Sequence, residues 1–567
     1  MKKSNFSNIS RRLFIGSLLP IIGFASCSKN NDSETKTGTP DGGKNIPDKD
    51  GMTVKGVVLS NNTGVANVVV SDGIVVTKTD VNGIYYLPST KLNPYVFISI
   101  PGNYEAAPER GIPKFFQSLN LAANVVETKN FELIAVDNTN HVVLAMADLH
   151  LANRNNDISQ FESGFINDVN EVIKTYKDSG TKIYGLTLGD LTWDSYWYAN
   201  NYFLDDYRAA MIKINTSIFN IMGNHDNDPY YTDDHKAAHA FRTSIGPSYY
   251  SFNLGKVHYV VLDNVEYVNT GGTIGTIGDR SYNAKIVSTQ MDWLKKDLSM
   301  IDKSTPIVVA MHIQLNNRPV LNSSGKLSST VRLSNGDELL AILNDFNKVH
   351  ILTGHTHINY VWENSASVTE HNTAAVCATW WWTGRDGYAG NHICKDGSPG
   401  GYSIWEVNGK DLKWQYKGIG QPKDYQFRAY DLNKCHITAA KFAPKTTDQL
   451  LKSYAGEYAN PNLKNEVLIN VWGFDEKWKI EVTENGNLLP VTRVEVKDPL
   501  HIISYEAFRL NENATPTSDF TSSNANHMFK VTASNATNTL IIKVTDRFNR
   551  QYTETMIRPK ELTYSMK

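Results

Sequence analysis

The chain has 567 residues, too many for one ordinary core, so two to four domains are expected. Apolar residues make up 41% and aromatic residues 11%, as in a globular protein, and a formal net charge of −2 gives no electrostatic case for nucleic-acid binding. Beyond the N-terminus no segment is apolar for long enough to cross a bilayer.

Residues 1–27 read as a targeting segment. Lys2 and Lys3 precede Ser10-Arg11-Arg12-Leu13-Phe14-Ile15 and an apolar run to Phe24. That run is short for a transmembrane helix and suits a signal peptide. Arg11-Arg12 followed by Phe14 resembles a twin-arginine export signal. Phe24-Ala25-Ser26-Cys27 resembles a bacterial lipobox. That resemblance implies lipid attachment at Cys27 and a protein held at a membrane, in the periplasm or at the cell surface. Residues 28–51 are almost wholly polar and predict a flexible tether.

Residues 52–137 alternate short strands with turns. Val54-Lys55-Gly56-Val57-Val58-Leu59 and Val65-Ala66-Asn67-Val68-Val69-Val70 are strand-like, and Ser71-Asp72-Gly73 and Val81-Asn82-Gly83 are turn signals. Thr79-Asp80-Val81-Asn82-Gly83-Ile84-Tyr85-Tyr86-Leu87 resembles the signature of small carboxypeptidase-regulatory-like β-sandwiches, which are accessory modules. This stretch contains no catalytic constellation.

Residues 138–420 carry five polar blocks, each at or just after an apolar run. They are Ala147-Asp148-Leu149-His150, Gly189-Asp190, Gly223-Asn224-His225-Asp226, Met311-His312 and Gly354-His355-Thr356-His357. The runs leading in, such as Val142–Met146 and Ile307–Ala310, read as buried strands. In an open α/β sheet, ligands gather beyond the carboxyl ends of the strands. Helical patterns at Phe165–Ile173 and Met291–Leu298 lie between, so a layered α/β domain is predicted. Buried Asp and His are costly unless paired or metal-bound. Five strand ends would collect two Asp, one Asn and four His, the ligand count of a two-metal centre.

The ordered series Asp-x-His, Gly-Asp, Gly-Asn-His-Asp, His, Gly-His-x-His resembles the calcineurin-like metallophosphoesterase family. The resemblance implies a metallophosphoesterase β-sandwich with flanking helices. It implies that Asp148, His150, Asp190 and His357 hold one metal and that Asp190, Asn224, His312 and His355 hold the other, with Asp190 bridging. Carboxylate and imidazole donors suit Zn²⁺, Mn²⁺ or Fe²⁺, and the absence of thiolate argues against a purely structural zinc site. A two-metal pair can acidify a bridging water and hold both oxygens of an in-line displacement. His225 is expected to face the leaving group as an acid, with Asp226 hydrogen-bonded to it and raising its basicity.

Two aromatic stretches point to substrate or to packing. Trp193-Asp194-Ser195-Tyr196-Trp197-Tyr198 follows Gly-Asp, and Trp380-Trp381-Trp382-Thr383-Gly384-Arg385-Asp386 follows the last block. Trp193 and Trp381 either stack on a sugar or base or fill a domain contact. Arg385 either grips a phosphate oxygen or pairs with Asp386. His258 and His350 sit inside strand-like runs and read as core residues. Cys377, Cys394 and Cys435 leave an odd thiol; Cys377 and Cys394 flank one loop, and their pairing stays open.

Residues 421–567 return to a β pattern, with strand-like runs at Glu466–Trp472, Trp478–Val482 and Thr539–Val544. A small β-sandwich is expected. The arrangement of β module, α/β domain and β module resembles an exported bacterial subfamily of the same family. The function that follows is hydrolysis of phosphate mono- or diesters outside the cytoplasm by a metal-bridging hydroxide. Substrates would be phosphorylated small molecules, phosphosugars, nucleotides or lipid headgroups. The competing reading is a surface glycan-binding lipoprotein with a vestigial metal site.

Overall fold

The computed structural model describes residues 45–384 and 391–566. Cys27 and Arg385 lie outside these described residues.

Two sheets face each other in the centre. The first runs in the order β3-β2-β1-β12-β13, with β1 (Asn140–Met146), β2 (Lys182–Thr187), β3 (Ile218–Phe219), β12 (Gly401–Asn408) and β13 (Asp411–Gly418). The second contains β4 (Tyr250–Leu254), β5 (Val257–Val261), β8 (Ile307–Ala310), β9 (Val349–Thr353), β10 (Tyr360–Glu363) and β11 (Val368–Asn372), in the order β4-β5-β8-β9-β11-β10. A hairpin of β6 (Val265–Thr270) and β7 (Asp279–Ala284) stands apart from both. β1, β2 and β3 are parallel, as are β5, β8, β9 and β11.

Alternation along β1 assigns its faces. Val143 and Ala145 pack into the core between the sheets, while Val142, Leu144 and Met146 face a helical layer. That layer includes α1 (Asn167–Asp178), whose Val169 and Ile173 point inward, preceded by a π-helical turn Phe161–Ile166. On the second sheet, α2 (Ser288–Leu298) buries Met291, Trp293, Leu294 and Leu298, and α3 (Gly336–Leu343) buries Leu339 and Leu343. Truncating a buried Trp such as Trp293 to Ala would cost about 3–5 kcal/mol. His258 is a satisfied core residue, bonded to Asp297 at 2.9 Å.

In the N-terminal module, Val54–Ser60 pairs in parallel with Glu127–Thr128 and Phe131–Glu132 and antiparallel with Ile84–Leu87. A second sheet holds Val69–Ser71, Val76–Lys78, Tyr95–Ser99 and Phe116–Ser118. Its apolar side merges with the central core. The C-terminal module stacks two four-stranded sheets, one of them built on Glu466–Asn470 and Ala525–Thr532, the other on Lys479–Glu484 and Leu540–Thr545. Ala429, Val467 and Ile469 face the second sheet, while Tyr430 and Leu468 face a helical cover. That cover includes Asp448–Ala455 and a buried helical segment at 499–511, which the β-type reading did not anticipate. Among the described residues no helix is long and apolar enough to cross a membrane. Cys377, Cys394 and Cys435 are buried free thiols, so Cys377 and Cys394 are not paired.

Candidate metal centre

All five polar blocks leave the carboxyl ends of parallel strands: β1, β2 and β3 of the first sheet and β8 and β9 of the second. The chain turns sharply there. Asp148, His150, Asp190, His355 and His357 all have positive φ, between 45° and 68°. For a residue other than glycine this costs roughly 1–2 kcal/mol, and it persists only where the surroundings enforce it. The loops zip together: His150 N–H donates to the Asp190 carbonyl at 2.9 Å, and His355 N–H donates to the Asp148 carboxylate at 2.9 Å. Glycines clear the room. A Cβ on Gly223 would sit 2.1 Å from Asp190 N, and one on Gly354 would sit 2.6 Å from Asp148 Oδ2.

The seven expected ligands converge. Asp190 Oδ2 lies 3.4 Å from His150 Nε2 and 3.2 Å from His312 Nε2. On one side His357 Nε2 is 3.0 Å from His150 Nε2 and 3.3 Å from Asp148 Oδ1. On the other, His312 Nε2 is 2.9 Å from Asn224 Oδ1 and 3.2 Å from His355 Nδ1. Outer partners aim the rings. His312 Nδ1–H donates to the Leu188 carbonyl at 2.8 Å, and His357 Nδ1–H donates to the Ala378 carbonyl at 3.2 Å. Both contacts leave Nε2 for the centre. Tyr282 on β7 meets His355 Nε2 at 2.8 Å, which leaves Nδ1 for the centre when Nε2 is the donor.

Divalent cations fit this donor set. Asp148 and Asp190 are almost fully buried, yet their ion-pair partners among the described residues are histidines and no Lys or Arg. Two desolvated carboxylates need positive charge. Burial would raise both pKa values, but His357 and His150 beside Asp148, and His312, His225 and His150 beside Asp190, hold both carboxylates well below the usual range. Imidazole nitrogens facing each other near 3 Å, as in His150–His357, are what a shared cation relieves.

His225 is half-buried beside this cluster, with a ring nitrogen within 4.8 Å of the ligand atoms of His150 and Asp190. Its backbone N–H donates to Asp190 Oδ1 at 2.8 Å. Its Nδ1 bonds Asp194 Oδ1 at 2.7 Å, and Arg280 on β7 bonds Asp194 Oδ2 at 2.6 Å. Burial disfavours the His225 cation, but the Asp190 and Asp194 carboxylates lift it to about 9.

Asp226 corrects the sequence expectation, because it does not touch His225. Its carboxylate accepts from the backbone N–H groups of Leu191, Thr192 and Gly223 and from the Thr192 hydroxyl, at 2.9–3.1 Å. Within the short turn Asn224–Asp226 the two side chains reach different partners, His225 meeting Asp194 and Asp226 the Thr192 and Gly223 N–H groups. Asp226 therefore staples the Asp190 loop to the Asn224 loop, and Asp194 takes the orienting role.

Trp381 is a second correction. It is only 2% exposed, and its indole N–H donates to the Leu149 carbonyl at 2.9 Å, so it packs beneath the first ligand loop and offers no face to substrate. Trp193 stays at the rim, its ring 5.6 Å from that of His150 and 6.0 Å from that of His225. Asp194 and Trp380, which lie in the two aromatic stretches but had no role of their own there, also border the centre, as do Arg280 and Tyr282, which the sequence reading missed. Arg280 and Tyr282 are two apart on one strand and so share a face, a signal that alternation carries.

Three family models tile the chain: "N terminal of Calcineurin-like phosphoesterase" over residues 52–136, "Calcineurin-like phosphoesterase" over 141–359 and "C terminal of Calcineurin-like phosphoesterase" over 370–552. No curated protein matches. Among solved structures, the chain is similar to a dimetal phosphatase from Danio rerio, at 11% identity and a TM-score of 0.34, covering 49% of this chain and 96% of that one. It is similar to a putative 5'-nucleotidase from Staphylococcus aureus at 13% identity and a TM-score of 0.28, covering 61% and 74%. A 5'-nucleotidase from Candida albicans is 11% identical with a TM-score of 0.25, covering 48% and 50%.

Proposed function

Because the chain belongs to the calcineurin-like phosphoesterase family and is a metal-dependent phosphoester hydrolase, we propose that it uses two divalent cations and hydrolyses phosphate mono- or diesters. Asp148, His150, Asp190 and His357 would hold one cation and Asp190, Asn224, His312 and His355 the other. The observation that carries this reading is the position of Asp190 Oδ2, within 3.4 Å of a histidine from each group. Oxygen and imidazole donors suit Mn²⁺, Fe²⁺ or Zn²⁺. When bound, such a pair supplies an acidified water and charge neutralisation at phosphorus.

The chain's own residues supply the rest. With Nδ1 tied to Asp194, His225 presents Nε2 to a leaving-group oxygen. There it donates a hydrogen bond or a proton as negative charge grows. Asp194 fixes the tautomer and stabilises the imidazolium, and Arg280 holds Asp194 in turn. Asp226 keeps the bridging and asparagine loops in register. Trp193 at the rim suits a substrate with a sizeable organic part, such as a nucleotide, a phosphosugar or a lipid headgroup.

The test is turnover by Mn²⁺-loaded protein across mono- and diesters of aryl, nucleotide and sugar alcohols. Failure on every ester, with cations bound, would refute the reading. Residues 1–27 further support export and lipid attachment at Cys27. Cys27→Ser should then release the protein from membranes or leave its signal uncleaved. A mature N-terminus elsewhere, without lipid, would overturn that placement.

A further inference from the structure

Both faces of Trp380 are covered. The His357 ring stacks on it with centroids 3.9 Å apart and planes at 21°, and the Phe520 ring stacks on it at 4.1 Å and 17°. Two near-parallel rings so close to one centroid cannot share a face. The order is therefore metal-ligand ring, Trp380, Phe520. Trp380 has no face left for substrate, although it borders the centre.

Phe520 comes from the C-terminal module, in the turn Ser518–Phe520. Its neighbours make the same connection. Thr379 Oγ1 meets His501 Nε2 at 2.8 Å, and the Arg509 guanidinium lies 4.4 Å from the Trp382 ring. A second link reaches the chain just past His357. Asn359 N–H donates to Asp396 Oδ2 at 2.7 Å, and that oxygen is 3.3 Å from His527 Nε2. The Asp396 carbonyl accepts from Asn470 Nδ2 at 2.9 Å. Asp396, His501, Asn470 and His527 are all buried. The segment carrying His357 is thus gripped from two sides by one module.

We infer that the C-terminal module is a working part of the metal centre, with Phe520, acting through Trp380, as the positioning residue for the ligand His357. The inference rests on the two-cation reading above and narrows it, because the module then sets the affinity for one cation of the pair. Of the expected ligands, His357 is the one stacked on Trp380, whereas His312 is aimed by the Leu188 carbonyl and His355 by Tyr282. Removing an outer partner of a metal ligand weakens affinity by about 10–100-fold.

The experiment is calorimetric Mn²⁺ titration of the full chain, with metal content after dialysis measured in parallel. Phe520→Ala should lower the affinity of one of two binding steps by about 10–100-fold and leave the other unchanged. Phe520→Tyr, which keeps the ring, should restore it. Trp380→Ala should give the same single-step loss, and adding Phe520→Ala to it should cost nothing more, because the two act in series. Should Phe520→Ala fail to fold by circular dichroism, Phe520→Leu with the Trp380→Ala cycle decides. Two wild-type binding steps in a folded Phe520→Ala or Phe520→Leu protein would overturn the inference. So would losses that simply add. A wild-type chain that takes up fewer than two Mn²⁺ ions would instead overturn the two-cation reading, and this inference with it.

Discussion

His225 Nδ1 and Asp194 Oδ1 meet at 2.7 Å, and the second oxygen of Asp194 is held by Arg280 at 2.6 Å. The imidazole is therefore oriented by a buried carboxylate that touches no expected metal ligand. Asp194→Asn keeps the shape and removes the charge. We expect kcat to fall by about 10–100-fold, the usual loss for an orienting partner. Metal content should stay at the wild-type level. A variant with unchanged kcat would show that Asp194 only packs.

His225 itself separates chemistry from metal binding. His225→Ala should retain its cations and lose kcat by roughly 10²–10⁴-fold, the range of a general acid. KM should change less, because the contact strengthens in the transition state. The loss should shrink for nitrophenyl esters and grow for alkyl or sugar esters, whose leaving groups need a proton. Equal losses across leaving groups would point to phosphate positioning instead, and loss of a cation would make His225 a ligand.

Asp190 is the residue that both halves of the centre share. Asp190→Ala should strip most metal and activity together. Asn224→Ala should weaken one cation more than the other, since Asn224 Oδ1 lies 2.9 Å from His312 Nε2, in one of the two expected ligand groups. Elemental analysis that finds two tightly held ions in Asp190→Ala would remove the bridging assignment.

The layered core and the seven-residue cluster were legible because each block is anchored to a strand end. A buried strand fixes where its last residue sits, so order along the chain becomes proximity in space. What failed depended on local geometry or distant partners. His225 and Asp226 look like a pair in sequence, but within their turn they reach different partners. Asp194 meets Arg280, which is 86 positions away, and Trp380 meets Phe520 from another module. The segment at 499–511 is buried along most of its length and contains a π-helical stretch, Ile502–Ala507, so it shows neither strand alternation nor a clean helical stripe.

Buried neutral histidines should make stability depend on pH. His141 bonds the Asn138 carbonyl through Nδ1 and the Tyr259 hydroxyl through Nε2, an arrangement that suits the neutral ring. Burial pushes its pKa down from 6.5 to about 4, and that of His350 down to about 3. Between those values and 6.5 the unfolded chain binds the extra proton, so stability rises with pH. The contribution is complete above 6.5 and lost as pH falls towards 4 for His141 and towards 3 for His350, on the order of 3–5 kcal/mol for each ring. Asp263 and Glu370, both raised to about 7 by burial, act in the opposite direction, so the variant comparison is the sensitive one. The Tm gap between wild type and His141→Gln should narrow from pH 7 to pH 4. A gap that does not change with pH would contradict the neutral assignment.

Trp193 and Trp381 make a paired test of where substrate sits. Trp381 is enclosed and hydrogen-bonded to Leu149, between the expected ligands Asp148 and His150. Trp381→Ala should therefore lower the stability of the fold by about 3–5 kcal/mol, read as a lower unfolding midpoint. Trp193 is half-buried, with Arg154 over its ring at 4.8 Å and His150 and His225 at its edge. Its replacement by Ala removes rim surface and little core, so the unfolding midpoint should change less. If the organic part of the substrate rests there, aromatic contacts worth about 0.5–1.5 kcal/mol are lost. KM should then rise by about 2–10-fold for nucleotide or phosphosugar esters, and hardly at all for a small alkyl phosphate. A KM that rises equally for large and small esters would mean that Trp193 shapes the metal centre through His150. An unchanged KM for all of them would move the substrate's organic group to another wall of the cleft.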